Sequence, residues 1–187
     1  NICEGLQHSC NPYFVYVLKK VIQSEDPFVN KFEESRKGLE EFEKEVKKFG
    51  FGKKLGIDIF SENSGLVPNM KLYDKIYGIG AWKYSNFRSI SIGQGEVLTT
   101  PLQMANLACI IANRGFYKRP HLVKKINDKN FFDEEKIEID YPKELFEIVA
   151  KGMLESSLSG SSFRTYIQDL KVCAKTGTSQ NPNGEDH

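Results

Sequence analysis

Two short stretches far apart in this 187-residue chain hold residue types that do chemistry: Ser9-Cys10-Asn11 and Lys175-Thr176-Gly177-Thr178. A lysine followed by hydroxyl, glycine and hydroxyl offers a cation, two polar hydrogens and a bare stretch of backbone. Those are the parts of one wall of a serine acyl-transfer site. Each stretch also has a plainer explanation. Ser-x-Asn is frequent by chance, Asn11 directly before Pro12 suits a helix N-cap, and Gly177 alone can mark a bulge. Other chemistry lacks a pattern. The three histidines (His8, His121, His187) occur in no metal-ligand spacing, and the four cysteines (Cys3, Cys10, Cys109, Cys173) form no C-x-x-C. Gly78-Ile79-Gly80 and Gly93-Gln94-Gly95 lack the strand-to-helix setting of a phosphate loop.

The elements that must position these residues are mostly helical. Asn11 as cap and Pro12 as first helical residue open a helix with Phe14, Leu18, Val21 and Ile22 at helical spacing. A second helix over about Ser35 to Phe49 carries Leu39, Phe42, Val46 and Phe49 on one stripe and stops at Gly50. Residues 50–68 read as a Gly-punctuated connection, and 78–99, with the only tryptophan (Trp82), as a long irregular loop. Thr100-Pro101-Leu102-Gln103 is a capping box opening a helix whose buried face is Leu102, Ala105, Ala108, Cys109 and Ala112, with Cys109 in the core and Gly115 as terminator. Leu122–Ile126 and Ile137–Ile139 are expected as short strands forming a hairpin around Asp128-Lys129-Asn130. Pro142 opens a helix with Leu145, Ile148, Val149, Gly152 and Met153 on one side. Ser156–Ser162 reads as a loop, Phe163–Ile167 as a short helical patch, and Lys171–Ser179 as a strand.

Composition bounds the function. Hydrophobic residues at 40% and charged residues at 27% describe an ordinary globular domain, and a net charge of +1 gives no field to attract nucleic acid or an anionic membrane. The clustered Lys47-Lys48 and Lys53-Lys54 are offset by Glu40, Glu41, Glu43 and Glu45, a solvated helix face. No apolar run approaches the ~20 residues of a membrane span. The chain opens on Asn1 without an initiator methionine or signal pattern, so it reads as a piece of a longer polypeptide.

S-x-x-K, S-D-N and K-T-G together mark serine β-lactamases and penicillin-binding proteins. Beyond those triplets the sequence resembles the high-molecular-weight class B penicillin-binding proteins, most closely the elongation-type penicillin-binding protein 2 group. The resemblance runs in order through Gln7-His8-Ser9-Cys10-Asn11-Pro12-Tyr13-Phe14, Phe49-Gly50-Phe51-Gly52 and Gly56-Ile57-Asp58. It continues through Ser91-Ile92-Gly93-Gln94-Gly95-Glu96 into Thr99-Thr100-Pro101-Leu102-Gln103-Met104-Ala105, then Asn113-Arg114-Gly115, Pro120-His121-Leu122 and Lys175 to Pro182. The implied fold is the α/β (α+β) β-lactamase/transpeptidase type, here mainly its α-helical part plus the K-T-G strand, with most of the central antiparallel sheet missing. The implied reaction is D,D-transpeptidation of peptidoglycan: a serine acyl-enzyme forms on a D-alanyl-D-alanine stem peptide, and the acyl group passes to an amine of a neighbouring stem. β-Lactams mimic that dipeptide.

By the same resemblance, Lys175 docks the substrate or drug carboxylate and polarises the serine network. Thr176 and Thr178 offer hydroxyls, and Gly177 lets a substrate backbone lie against the strand. The Thr178 N–H is one oxyanion donor. Ser9 relays a proton and Asn11 holds the acyl amide. Cys10, a zinc ligand in some relatives, is expected here as a buried thiol, and no cofactor is implied. Implied partners are stem peptides, β-lactams and elongation-machinery proteins, at the periplasmic face of the bacterial inner membrane through an anchor outside this sequence. No serine here has lysine three positions on: Ser35-Arg36-Lys37 has the wrong spacing, and Pro12 occupies that position after Ser9. The expectation is a partial transpeptidase domain over 1–187, lacking the S-x-x-K segment and later strands and therefore inactive. Alternatives within the fold are a non-catalytic penicillin sensor or scaffold, or a division-type relative.

Overall fold

A computed structural model describes every residue except 25, 27, 132–134, 182 and 187. Pro182, where the resemblance ends, and His187 lie outside the described residues. Helix α1 (Ile2–Gln7) is capped by the Asn1 side chain, which accepts the Glu4 N–H at 3.1 Å. Helix α2 (Asn11–Ile22) starts one residue earlier than its sequence suggests. Cys10 is the cap residue, Asn11 is the first helical residue, and Pro12 follows where its missing N–H is still one of the unbonded four. The Asn11 side chain is therefore not spent on capping. Helix α3 (Lys31–Lys48) begins before Ser35 because Asn30 caps it, accepting the Phe32 N–H at 3.0 Å. Gly50 ends it in the left-handed region (φ 94°), as expected.

Helix α4 (Met70–Tyr77), capped by Asn69, has no counterpart in the sequence reading. Residues 78–99 are not a uniformly irregular loop either: they contain α5 (Tyr84–Phe87) and a 3-10 turn (Arg88–Ile92). Their aromatic residues explain the difference, since Trp82, Tyr84, Phe87 and Ile90 are buried with Ile22, Leu39 and Tyr73 in the first core. Polar contacts lock that core. Arg36 makes a two-pronged ion pair with Asp74 (2.7 and 2.9 Å), and Trp82 Nε1 donates to the same carboxylate at 2.8 Å. Arg36 and then Trp82 hold the Asp74 carboxyl below the usual carboxylate range. The buried Ser35 hydroxyl accepts from Tyr84 N at 2.9 Å, and Tyr84 Oη donates to Val15 O at 2.7 Å, tying this segment to α2.

Helix α6 (Pro101–Ala112) has the expected capping box, with Gln103 N and Thr100 Oγ1 at 3.2 Å and Thr100 N and Gln103 Oε1 at 3.0 Å. Its buried face is Gln103, Asn106 and Ile110; of the expected stripe, Leu102 packs half-buried against a core, whereas Ala105, Ala108, Cys109 and Ala112 are exposed. Unpaired carbonyls cause the switch. Gln103 Nε2 lies 3.1, 3.0 and 2.8 Å from the Gly50, Lys53 and Ser64 carbonyls of the Gly-punctuated connection, which turns in the helix's polar side.

Strand β1 (Phe116–Lys118) precedes a hairpin of β2 (Lys125–Ile126) and β3 (Lys129–Asn130), whose turn residues Asn127 and Asp128 are both left-handed (φ 46° and 65°). Strand β4 (Lys136–Glu138) pairs antiparallel with β1, not with 122–126. Leu122 and Val123 instead donate their N–H groups to the Asp58 carboxylate (2.7 and 2.8 Å), which removes them from strand pairing. Helix α7 (Lys143–Ser159) extends through Ser156–Ser159, where a loop was expected. It buries Phe146, Ala150, Gly152, Ser156 and Ser157 and leaves Leu145 and Ile148 exposed. Phe146 joins Leu55, Ile110, Tyr117 and Ile139 in a second core. Residues 171–180 form no paired strand, because no other described strand lies alongside them.

Candidate active site

The site begins at the joint between α1 and α2. Cys10 N donates to Gly5 O at 2.9 Å and Ser9 N to Leu6 O at 3.3 Å, the paired bonds of a Schellman helix end. That motif places Ser9 where glycine is usual, and Ser9 is indeed left-handed (φ 52°). Left-handed backbone costs a side-chain-bearing residue roughly 1–2 kcal/mol. A serine kept at such a position points to a use for its hydroxyl.

Helix α1 is held against α7 by close approach. A Cβ on Gly152 would lie 2.8 Å from Leu6 Cδ1, and one on Gly160 would lie 2.2 Å from the Gln7 carbonyl oxygen. Ser161 N donates to that same carbonyl at 2.9 Å. The chain then runs back along α7: Ser157 Oγ donates to Val172 O, and Ala174 N to Met153 O at 3.1 Å. This delivers Lys175 to the α1–α2 joint, where its Nζ donates to Ser9 Oγ at 2.8 Å. The two ends of the sequence thus meet in one hydrogen bond.

The rest of the K-T-G-T segment is held by side chains instead of a strand neighbour. Thr176 Oγ1 donates to Ser161 Oγ at 3.1 Å, and Ser161 connects to the buried pair Ser156–Ser162. Gln94 Nε2 donates to Thr178 O at 2.7 Å. Gly177 is open, with nothing within 4 Å of an added Cβ. Ser9, Asn11, Lys175, Thr176, Gly177 and Thr178 all line one cleft of about 640 Å³, with Phe14, Ser91 and Gln94 on the facing side. Partial burial lowers the Lys175 pKa from the ordinary lysine value. A cation beside a hydroxyl, next to an unobstructed backbone edge, can bind a carboxylate and move a proton.

The expected residues thus come together. Cys10 is half-buried, not fully buried, and the described residues include no group of three side chains able to hold a metal ion. Ser161 and Gln94 were missed. Ser161 lies in a Ser/Gly run without helical or strand periodicity, whereas Gln94 lies in the Gly93-Gln94-Gly95 stretch that carries part of the family resemblance, with no role for its side chain implied.

The strain at Ser9 gives a separable expectation. Ser9→Gly and Ser9→Ala both lose the hydroxyl, but the glycine variant should unfold at higher denaturant, by about 1 kcal/mol. Urea melts of the two variants measure the difference, and equal midpoints would show that Ser9 is not strained.

Comparison with known proteins gives the family and the fold. The family model described as penicillin binding protein transpeptidase domain matches residues 1–187. Among curated relatives, peptidoglycan D,D-transpeptidase MrdA of Acinetobacter baumannii is 28% identical over 185 residues, covering 96% of this chain and 25% of that protein. Its Escherichia coli K12 counterpart is 27% identical over 192 residues, covering 96% and 27%. The chain therefore spans about a quarter of the length of these relatives. Among solved structures, Pseudomonas aeruginosa PBP2 in complex with WCK 5153 shares the fold at TM-score 0.74 and 24% identity, covering 96% of this chain and 38% of that one. Helicobacter pylori PBP2 in complex with MreC does so at TM-score 0.71 and 24% identity, covering 99% and 31%. The fold is of the transpeptidase type, represented here by its helices and small sheets. This chain belongs to the penicillin-binding protein transpeptidase domain family, with relatives of the PBP2/MrdA type.

Proposed function

We propose that this chain is part of a peptidoglycan D,D-transpeptidase of cell-wall elongation and that its cleft forms the substrate-side wall of the active site. The observation that carries the reading is the Lys175 Nζ–Ser9 Oγ bond at 2.8 Å, inside a cleft that Asn11 and the open Gly177-Thr178 edge also line. A serine hydroxyl attacks the carbonyl of the penultimate D-alanine. Its proton passes through Ser9, with Lys175 holding that hydroxyl, to the amine of the departing terminal D-alanine. A second stem peptide's amine then attacks the ester and releases the serine. Lys175 and the Thr176 hydroxyl hold the terminal carboxylate, the Thr178 N–H faces the oxyanion, and Asn11 holds the acyl amide. A β-lactam follows the first half: its ring C–N bond opens and the serine stays acylated.

The attacking serine is not supplied by these 187 residues, none of which is a serine with lysine three positions on. The acylated protein is a longer polypeptide that acts at the periplasmic face of the inner membrane with elongation-machinery partners. The MreC complex of Helicobacter pylori PBP2 supports such partners. Among the described residues no helix is long and apolar enough to cross a membrane.

Fluorescent penicillin followed by a denaturing gel tests both halves. The 187-residue chain should show no covalent band, while the polypeptide extended to include an S-x-x-K serine should label once per chain. A stoichiometric band on the short chain, or none on the extended one, would sink the reading.

A further inference from the structure

The Gly93-Gln94-Gly95 turn has no task in the mechanism above, yet it is firmly built. Gly93 N donates to Ile90 O and Gln94 N to Ser89 O, both at 3.1 Å, closing the end of the 3-10 turn. Both glycines are left-handed (φ 72° and 79°), and a Cβ on Gly95 would lie 2.6 Å from Ser89 Oγ. On one side Ile90 is buried in the first core; on the other, the Glu96 carboxylate accepts the Tyr73 hydroxyl at 2.5 Å. From this base Gln94 Nε2 reaches the Thr178 carbonyl at 2.7 Å, and that acceptor fixes which end of the amide faces it. Upstream, the main chain is tethered by Ala174 N to Met153 O. Gln94 supplies the tether at the far end of K-T-G-T, on a segment that has no strand neighbour among the described residues.

We propose that Gln94 is a positioning residue for acyl transfer, fixing the Thr178 backbone so that its N–H points at the reacting carbonyl. The inference rests on the transpeptidase reading. An oxyanion donor acts only if it is aimed before the charge develops, and an untethered main chain would have to be ordered during the reaction. Holding Thr178 through its carbonyl leaves its N–H available to the substrate. The donating amide, not the bulk of the side chain, does this, so an isosteric group without a hydrogen should fail.

The test uses the extended polypeptide with its reactive serine and compares Gln94→Glu with wild type. At pH 7 the glutamate cannot donate, and the penicillin acylation rate constant should fall about tenfold, with little change in the concentration of drug giving half-maximal rate. Relative to wild type at the same pH, the deficit should shrink as pH falls through about 4.3, where a neutral carboxyl regains an O–H donor. Gln94→Ala should show the same deficit at pH 7 and no such recovery. A Gln94→Glu protein that acylates like wild type, or a deficit unchanged at acid pH, overturns the proposal. Failure of wild type to acylate would instead overturn the transpeptidase reading.

Discussion

Lys175→Met in the serine-bearing polypeptide should lower the second-order rate of penicillin acylation by roughly 10²–10³-fold, the range seen when one charged or oxyanion contact is removed. Methionine keeps the length of the side chain but loses the cation that docks the carboxylate and the donor that holds Ser9 Oγ at 2.8 Å. Because Lys175 lies at the cleft and not in either core, circular dichroism and melting should change little. Lys175→Arg separates the two jobs: charge is retained, so drug binding should survive better than the chemical step. Stopped-flow acylation at varied drug concentration reads both. A wild-type rate in Lys175→Met would remove Lys175 from the mechanism.

The same lysine fixes a pH dependence. Burial lowers its pKa, so the cation is lost below the ~10.4 of an ordinary lysine, and acylation should decline on the alkaline side sooner than an exposed lysine would allow. Stability has the opposite sign. Between the lowered folded value and the ordinary unfolded value, the unfolded chain binds more protons, so the contribution of this group to stability rises with pH across that window.

Trp82→Ala should cost about 3–5 kcal/mol of folding free energy, a large share of a typical total of about 5–15 kcal/mol. Trp82 is 1% exposed, packs edge-on against Phe32 at 5.5 Å and Phe87 at 5.9 Å, and donates to Asp74 at 2.8 Å. Its removal leaves a cavity beneath the segment that runs through Ile90 to Gln94, so the Gln94–Thr178 tether should weaken before the chain unfolds. Trp82→Phe should cost less, since it refills most of the space but still leaves Asp74 without the indole donor. Urea denaturation followed by far-UV circular dichroism measures both, because the only tryptophan is no longer present as a probe. A loss under 1 kcal/mol for the alanine variant would contradict the packing.

Local signals were legible where the sequence neighbours themselves supply the physics. Thr100-Pro101-x-Gln103 builds its capping box from its own four residues, and Gly50 ends a helix because φ near +94° penalises a Cβ. The candidate site residues stood out because their chemical types are unusual together, and Ser9, Asn11 and the Lys175–Thr178 run all line one cleft. Misreadings arose where a distant partner sets the answer. Asn11 looked like a cap, but Cys10 ends the α1 Schellman turn and opens α2 at once, so the boundary moved by one residue. The alanine stripe of α6 looked like its buried face until Gln103 found three carbonyls from residues 50–64. Residues 82–90 looked like a loop because their aromatics follow no single period, yet together they close around Tyr73.

The amino-acid sequence alone supplied the candidate groups: a cation, hydroxyls and a bare glycine whose chemical types do not depend on the path of the chain. Only the tertiary structure decided how they are held. Lys171–Ser179 has the alternation of a strand, but a strand requires a neighbouring strand's row of N–H and C=O groups, and among the described residues the segment meets only the single Met153 carbonyl of α7 through Ala174 N. Side chains from elsewhere in the chain, Ser9, Ser157, Ser161 and Gln94, hold the segment instead. No local pattern encodes such contacts, because each joins residues 15 or more positions apart.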